Sequence, residues 1–301
     1  MNILITGGTG FIGKELREEL LKEGHSLIIV TRSPKKYEDE AASNQKFISL
    51  DDDNIVSTME SCAVVINLAG ESIFGQRWND EVKQRIYDSR IETTRALVEA
   101  MAKAKTKPEV FISASASGIY GDRGDTLLDE TAELADDFLA MVCKDWEAES
   151  QRATAMGVRV VNPRIGIVFE EGGGALEKML PPFKMFVGGP IGNGKQYMSW
   201  IHRSDLVQAL LFPIQQKELQ GPYNVGAPEP ATMNEVAETL GNVLNRPSIF
   251  RVPKMALEVA FGEAAKPITD SIRMEPKALQ KAGFTFRYES LEEALADITG
   301  R

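Results

Sequence analysis

Short apolar runs alternate with amphipathic stretches through the first half of the chain. Residues 2–6 (Asn-Ile-Leu-Ile-Thr) read as a buried strand. Phe11, Ile12, Leu16 and Leu20 then recur at helical spacing and predict a helix over 11–22. Further apolar runs at 27–30, 47–50, 64–68, 110–113 and 158–161 predict five more strands, with helices over 80–103 and 137–156 between the later ones. Continuous apolar strands separated by helices imply a parallel sheet covered on both faces, and right-handed crossovers wind it doubly. The second half is less regular. Glycine and proline concentrate between 172 and 194, helices are predicted near 205–214 and 233–244, and Pro253, Pro267 and Pro276 break up the last fifty residues. The expected fold is α/β: a Rossmann-type doubly wound parallel sheet with a smaller, mainly helical C-terminal cap over its carboxyl edge.

Composition narrows the function classes. The formal net charge of −10 over 301 residues argues against nonspecific nucleic-acid binding, which needs a basic surface. Cys62 and Cys143 are the only cysteines and His25 and His202 the only histidines, so neither a disulfide framework nor a metal site is expected. No apolar run approaches the roughly 20 residues that span a bilayer, and residues 1–5 run straight into a strand without a leader pattern. A cytoplasmic protein without a membrane partner is expected.

The first strand runs into Gly7-Gly8-Thr9-Gly10-Phe11-Ile12-Gly13, which opens the first helix. That strand–turn–helix context is what a dinucleotide-binding glycine pattern requires, and it makes Gly7, Thr9, Gly10, Phe11, Ile12 and Gly13 cofactor-site candidates. A side chain at Gly10 would keep a pyrophosphate off the backbone amides and the positive helix end. The second strand ends Val30-Thr31-Arg32-Ser33, with no carboxylate until Glu38. Binders of NAD place an acid here for the ribose hydroxyls. Arg32, next to Thr31, can instead grip a 2′-phosphate bidentately, which favours NADP(H) over NAD.

These residues, with Asn67-Leu68-Ala69-Gly70, Ser113-Ala114-Ser115-Ala116-Ser117-Gly118-Ile119-Tyr120-Gly121 and Trp200-Ile201-His202-Arg203-Ser204-Asp205, resemble the extended short-chain dehydrogenase/reductase superfamily. Glu71, Arg77-Trp78-Asn79, Ser89-Arg90-Ile91-Glu92-Thr93-Thr94, Gly172-Gly173-Gly174-Ala175-Leu176, Met179-Leu180-Pro181-Pro182-Phe183 and Gly188-Gly189-Pro190-Ile191-Gly192 are similar to its atypical YfcH-like epimerase family. The block at 246–298 looks like the small domain of unknown function that ends those proteins. The resemblance implies an NADP-binding domain at 1–165, to which 196–226 returns, and a split cap at 166–195 and 227–301. It adds Leu68, Ala69, Gly70 and Ser113 to the cofactor-site candidates. Arg90 falls where many extended relatives carry asparagine, and Arg164 ends the sixth strand, where relatives approach the nicotinamide. Trp78, Arg85, Lys178, Lys195 and His202 are further cleft candidates, although His202, just before Ser204-Asp205, reads better as part of a helix start. The long helices near Asp80 and Asp137 suggest a possible homodimer, as in relatives.

Ordinary members of the superfamily use a Tyr-x-x-x-Lys pair as acid/base. Anchoring the helix on Glu147, four residues beyond the usual lysine, puts Cys143 in the lysine position and Leu139 in the tyrosine position. Leucine transfers no proton, and Lys144 points about 100° away on a helix. Ser115 and Tyr120 remain as catalytic candidates, one to polarise a carbonyl and one to donate a proton; packing beneath the cap is the other reading of Tyr120. Two functions are then open: an NADP(H)-dependent oxidoreductase or epimerase acting on a small polar substrate, or an NADP(H)-binding sensor or interaction protein with little or no catalysis.

Overall fold

The apolar runs become one parallel sheet. The computed structural model describes residues 1–301 apart from the side chain of Glu40. Seven strands, β1 (Asn2–Thr6), β2 (Ser26–Val30), β3 (Gln45–Ile48), β4 (Val64–Asn67), β5 (Val110–Ser113), β6 (Arg159–Ile165) and β7 (Gly221–Val225), lie in the order β7-β6-β5-β4-β1-β2-β3. All neighbouring pairs are parallel. A short strand, Ser115–Ala116, continues past β5 and pairs with Arg164 and Ile165 at the end of β6.

Both faces of the sheet are buried, which is why its strands are apolar at consecutive positions. Ile3 and Ile5 point to one side, where they meet Leu16 and Leu20 of α1 (Phe11–Lys22) and Leu206 and Leu210 of α5 (Arg203–Gln215). Leu4, Val65 and Phe111 point to the other, against Leu97 and Met101 of α2 (Asp80–Lys103). α3 (Phe138–Gln151) lies alongside α2. Asn79 and Asp137 start these last two helices by accepting hydrogen bonds from the amides of Val82 (2.8 Å) and Ala140 (3.0 Å). β7 did not stand out among the apolar runs because Gly221 and Pro222 open it; its place is fixed by pairing with β6, where Tyr223 faces Pro163.

A second core holds α4 (Leu176–Lys184), α6 (Met233–Leu244) and α7 (Leu291–Ile298) around Phe169 and Trp200, whose rings stack 6.0 Å apart. α6 covers the predicted span and begins with a reciprocal capping box between Thr232 and Glu235. The last fifty residues contribute to both cores, and Ile272 and Met274 to a smaller cluster around Tyr120 and Cys143. Leu279 and Phe286 complete the first, while Ala294, Leu295 and Ile298 belong to the second. Asp205 ties them down by accepting from the amides of Arg287 and Tyr288, each at 2.9 Å. His202 caps α5, its Nδ1 accepting from the amide of Ser204 at 3.1 Å, and its ring stacks 4.0 Å from Tyr288.

The strand order reverses between β1 and β4, and this opens a crevice at the carboxyl ends of the strands. Asn67 pins it open. Fully buried at the end of β4, its amide accepts from Thr6 (2.6 Å) and donates to Thr94 (2.8 Å) and Ser113 (3.2 Å).

Candidate active site

The glycines of the turn do different work. Gly7 has φ +72°, and a Cβ there would lie 2.6 Å from the Leu68 carbonyl oxygen. At Gly13 a Cβ would lie 2.3 Å from the Gly7 carbonyl oxygen and 2.6 Å from the Gly8 Cα. Both are therefore required by the packing of the turn itself, and Gly13 is buried beneath it. Gly10 is the exception. Its φ of −82° suits any residue, it is exposed, and a Cβ would meet only the Gly7 oxygen at 3.2 Å. Gly10 also begins α1 with no side-chain cap, which leaves the first helical N–H groups facing the crevice. Such a cradle fits a pyrophosphate, held by backbone amides and the helix dipole.

A cavity of about 580 Å³ extends from this turn, bounded by Gly7, Thr9 and Gly10 on one side and Leu68, Ala69 and Gly70 on the other. Thr31 and the exposed Arg32 close its far end. Ser49, Leu50 and Asp51, just past β3, line it as well. In the sequence the apolar run at 47–50 reads only as a strand; the place of these residues in the cavity follows from β3 lying next to β2.

A second cavity of about 300 Å³ adjoins the first across Leu68 and Gly70. Phe11 and Ile12 of α1 line it, and Phe11 is held in place by Gly173, where a Cβ would overlap its ring at 2.3 Å. Ser115 lines this cavity with a buried hydroxyl that has no nitrogen or oxygen partner among the described residues. The Cys143 thiol is its one polar neighbour, within hydrogen-bonding reach, and burial pushes that thiol up to about 11, so it stays protonated. Leu139 completes the wall, as expected from a helix lacking the Tyr-Lys pair. Arg90 lines the cavity too. Its guanidinium donates to the carbonyls of Ile86 (2.9 Å) and Glu71 (3.1 Å) and lies 5.3 Å from the Trp146 ring.

The C-terminal segment brings the remaining charged groups. Asp137 and Lys266 form an ion pair at 3.4 Å on the cavity wall, and Asp270 lines it close by. Burial raises the Asp270 carboxyl to about 6, and repulsion from Asp122 and Asp137 adds to the shift while Lys266 and Lys254 oppose it. Asp270 was not among the sequence candidates. It sits in the proline-broken region, where no periodicity links it to the sheet edge.

Three candidates are corrected. Tyr120 is fully buried and absent from the cavity lining, with its hydroxyl donating to Asn224 (2.6 Å) and accepting from Arg164 (2.9 Å). Burial raises its pKa further. Arg164 is likewise buried and is committed to Glu147 through two hydrogen bonds, leaving it unavailable to a cofactor. The Ser113 hydroxyl is buried and accepts from Asn67. Of the other cleft candidates, Trp78 packs against Phe138 and Arg85 pairs with Glu81 on the surface. Among the described residues no group of three or more His, Cys, Asp or Glu side chains could hold a metal ion, and no helix is long and apolar enough to cross a membrane.

Residues 3–226 match the model of the NAD dependent epimerase/dehydratase family, and residues 252–298 match that of a domain of unknown function, DUF1731. The epimerase family protein YfhF of Bacillus subtilis is 38% identical over 301 residues, covering 99% of this chain and 98% of its own. A chloroplastic homolog of epimerase family protein SDR39U1 from Arabidopsis thaliana is 37% identical, covering 99% of this chain and 86% of its own. The crystal structure of human epimerase family protein SDR39U1 (isoform 2) with NADPH superposes with a TM-score of 0.90 at 31% identity, covering 100% of both chains.

Proposed function

Since the chain belongs to the NAD dependent epimerase/dehydratase family, we propose that it binds NADPH across the two adjoining cavities and reduces a carbonyl substrate in the second. The observation that carries this reading is their continuity: Leu68 and Gly70 line both, with Arg32 at one end and the buried Ser115 hydroxyl, beside only the Cys143 thiol, at the other. The glycine turn would hold the pyrophosphate, Arg32 the 2′-phosphate, and the wall of Phe11, Ile12 and Leu68 the nicotinamide end. NADPH-bound human SDR39U1, of the same fold over its whole length, supports this cofactor assignment. When bound, the dinucleotide supplies a hydride to the carbonyl carbon.

The chain's own residues do the rest. Ser115 turns its hydroxyl from the weakly accepting Cys143 sulfur to the carbonyl oxygen as negative charge develops there. Asp270 supplies the proton that this oxygen takes up, in place of the absent Tyr-Lys pair. Arg90 adds positive charge to the wall, while Lys266 there is balanced by Asp137. Incubation with NADPH and a panel of aldehydes, ketones, quinones and sugar nucleotides, followed at the cofactor absorbance, tests this reading. Turnover that disappears in Ser115→Ala supports it. Tight NADPH binding without turnover across the panel would favour a sensor, the reading that Leu139 and Cys143 in the usual acid/base positions support.

A further inference from the structure

A third cavity, of about 340 Å³, adjoins the second where Phe74, Gly174 and Ala175 line both. Its walls come mostly from the second core and the C-terminal segment: Met179 and Phe183 of α4, Met198, Met233 of α6, and Leu257 and Phe261 of the helix Lys254–Phe261. Among the described lining residues, only Gln76 and Lys178 have polar side chains, and the Lys178 side chain is 70% exposed. Glycines shape this chamber. Gly188 leaves room for the Phe183 ring, which a Cβ would overlap at 2.4 Å, and a Cβ at Gly189 would strike the Phe250 carbonyl oxygen at 2.3 Å. Segment 188–192 is then bound to segment 250–252 through the amides of Phe250 (3.1 Å), Val252 (3.0 Å) and Gly192 (2.8 Å). The rim is apolar as well, with Val187, Val252 and Phe261 each more than a third exposed.

We propose that the substrate is a lipophilic carbonyl compound, with its polar end at Ser115 in the second cavity and an apolar body of roughly ten carbons in the third. The size follows from the volume, a methylene filling about the roughly 30 Å³ that one liquid water takes. A small polar substrate would leave the chamber empty. A nucleoside diphosphate placed there would lose its hydration with almost nothing to replace it. An apolar chain gains from the same walls, and the polar groups that chemistry needs, Ser115 and Asp270, line the adjoining second cavity instead. This assignment rests on the carbonyl-reductase reading above.

The test is calorimetric titration of the full chain with 2-alkanones from butanone to 2-hexadecanone, with and without NADP+, which binds without turnover. Affinity should rise about three- to fourfold per methylene, the worth of burying one CH2, and level off near a tail of about ten carbons beyond the carbonyl. Leu257→Asp, on a helix that buries no residue fully, should weaken 2-decanone binding at least tenfold and leave NADP+ affinity unchanged; Val187→Trp, at the exposed rim, should bring the plateau to a shorter chain. Length-independent affinity with NADP+ binding intact overturns the proposal, as does a length dependence identical in both variants. A dimer lost in Leu257→Asp with ketone affinity unchanged overturns it too, by assigning the apolar rim to a second copy. Absence of NADP+ binding with the length dependence intact overturns the cofactor reading instead.

Discussion

Arg164 and Glu147 form a buried bidentate pair across the end of β6 and α3, with Nε to Oε1 at 2.8 Å and Nη2 to Oε2 at 2.9 Å. The remaining guanidinium nitrogen donates to the Tyr120 hydroxyl at 2.9 Å, which passes the connection to Asn224 on β7. One network thus joins three elements behind the site. It accounts for two residues whose motif positions suggested chemistry. Arg164 is 3% exposed and Tyr120 fully buried, so both support the site from behind.

This network makes Glu147→Ala strongly destabilising. Removing one partner leaves a buried guanidinium without its counter-charge, which costs about 3–5 kcal/mol. Tyr120→Phe removes one hydroxyl from the same network and should cost about 1–3 kcal/mol. Turnover in Tyr120→Phe should stay within a factor of a few of the parent. Denaturant unfolding measures the first two effects and NADPH oxidation the third. A collapse of turnover in a stably folded Tyr120→Phe would return that tyrosine to the catalytic step.

The glycine turn predicts opposite phenotypes for two neighbouring substitutions. Gly13→Ala places a Cβ 2.3 Å from the Gly7 carbonyl oxygen, so the turn must distort and the fold should lose stability. Gly10→Ala meets one atom at 3.2 Å and should fold nearly as well as the parent, while its methyl group occupies the pyrophosphate position. Thermal unfolding without cofactor should therefore separate Gly13→Ala from the parent, and NADPH titration should separate Gly10→Ala. Equal behaviour in both assays would count against the assignment of Gly10 to the ligand.

Arg32 is exposed at the end of its cavity. A charge-assisted contact with a 2′-phosphate gives Arg32→Ala a loss of about 10- to 100-fold in NADPH affinity, with NADH affinity nearly unchanged. Titration of both cofactors reads the difference. A parallel loss for both would assign Arg32 to the shared part of the dinucleotide.

What was legible in the sequence tracks how local the determining forces are. The helices at 80–103 and 233–244 were readable because a side-chain cap and apolar periodicity fix them locally, and that at 11–22 because its periodicity follows directly on the glycine turn. The glycine turn was readable for the same reason. Tyr120 and Arg164 were misplaced because their partners, Asn224 and Glu147, are 104 and 17 residues away. Asp270 and the apolar chamber were invisible because both depend on segments far apart in the chain: Asp270 shares a wall with Phe11 and Ser115, and the chamber joins residues from 74 to 268.

Asp270 couples stability to pH and opposes it to activity. Its carboxyl is raised by burial to about 6, against an ordinary value of 3.8. Below about pH 4 it is protonated both folded and unfolded, and folding incurs no cost from it. Between about pH 4 and 6 the unfolded chain ionises while the folded protein holds the proton, so stability falls as pH rises. Above about 6 the folded protein must carry the charge close to Asp122 and Asp137, and the loss is complete. Asp270→Asn removes this dependence. It should raise Tm at pH 7 by a few degrees, at roughly 2–4 °C per kcal/mol, and leave Tm at pH 4 unchanged. As the proton donor, Asp270 should also make kcat/KM fall as pH rises through about 6, and the asparagine variant should lose turnover at every pH while still binding NADPH. Calorimetry at pH 4, 5, 6 and 7 together with a pH–rate profile reads both effects. A stabilised variant with full turnover would make Asp270 a wall residue only, and an unchanged Tm at pH 7 would show that the carboxyl is solvated.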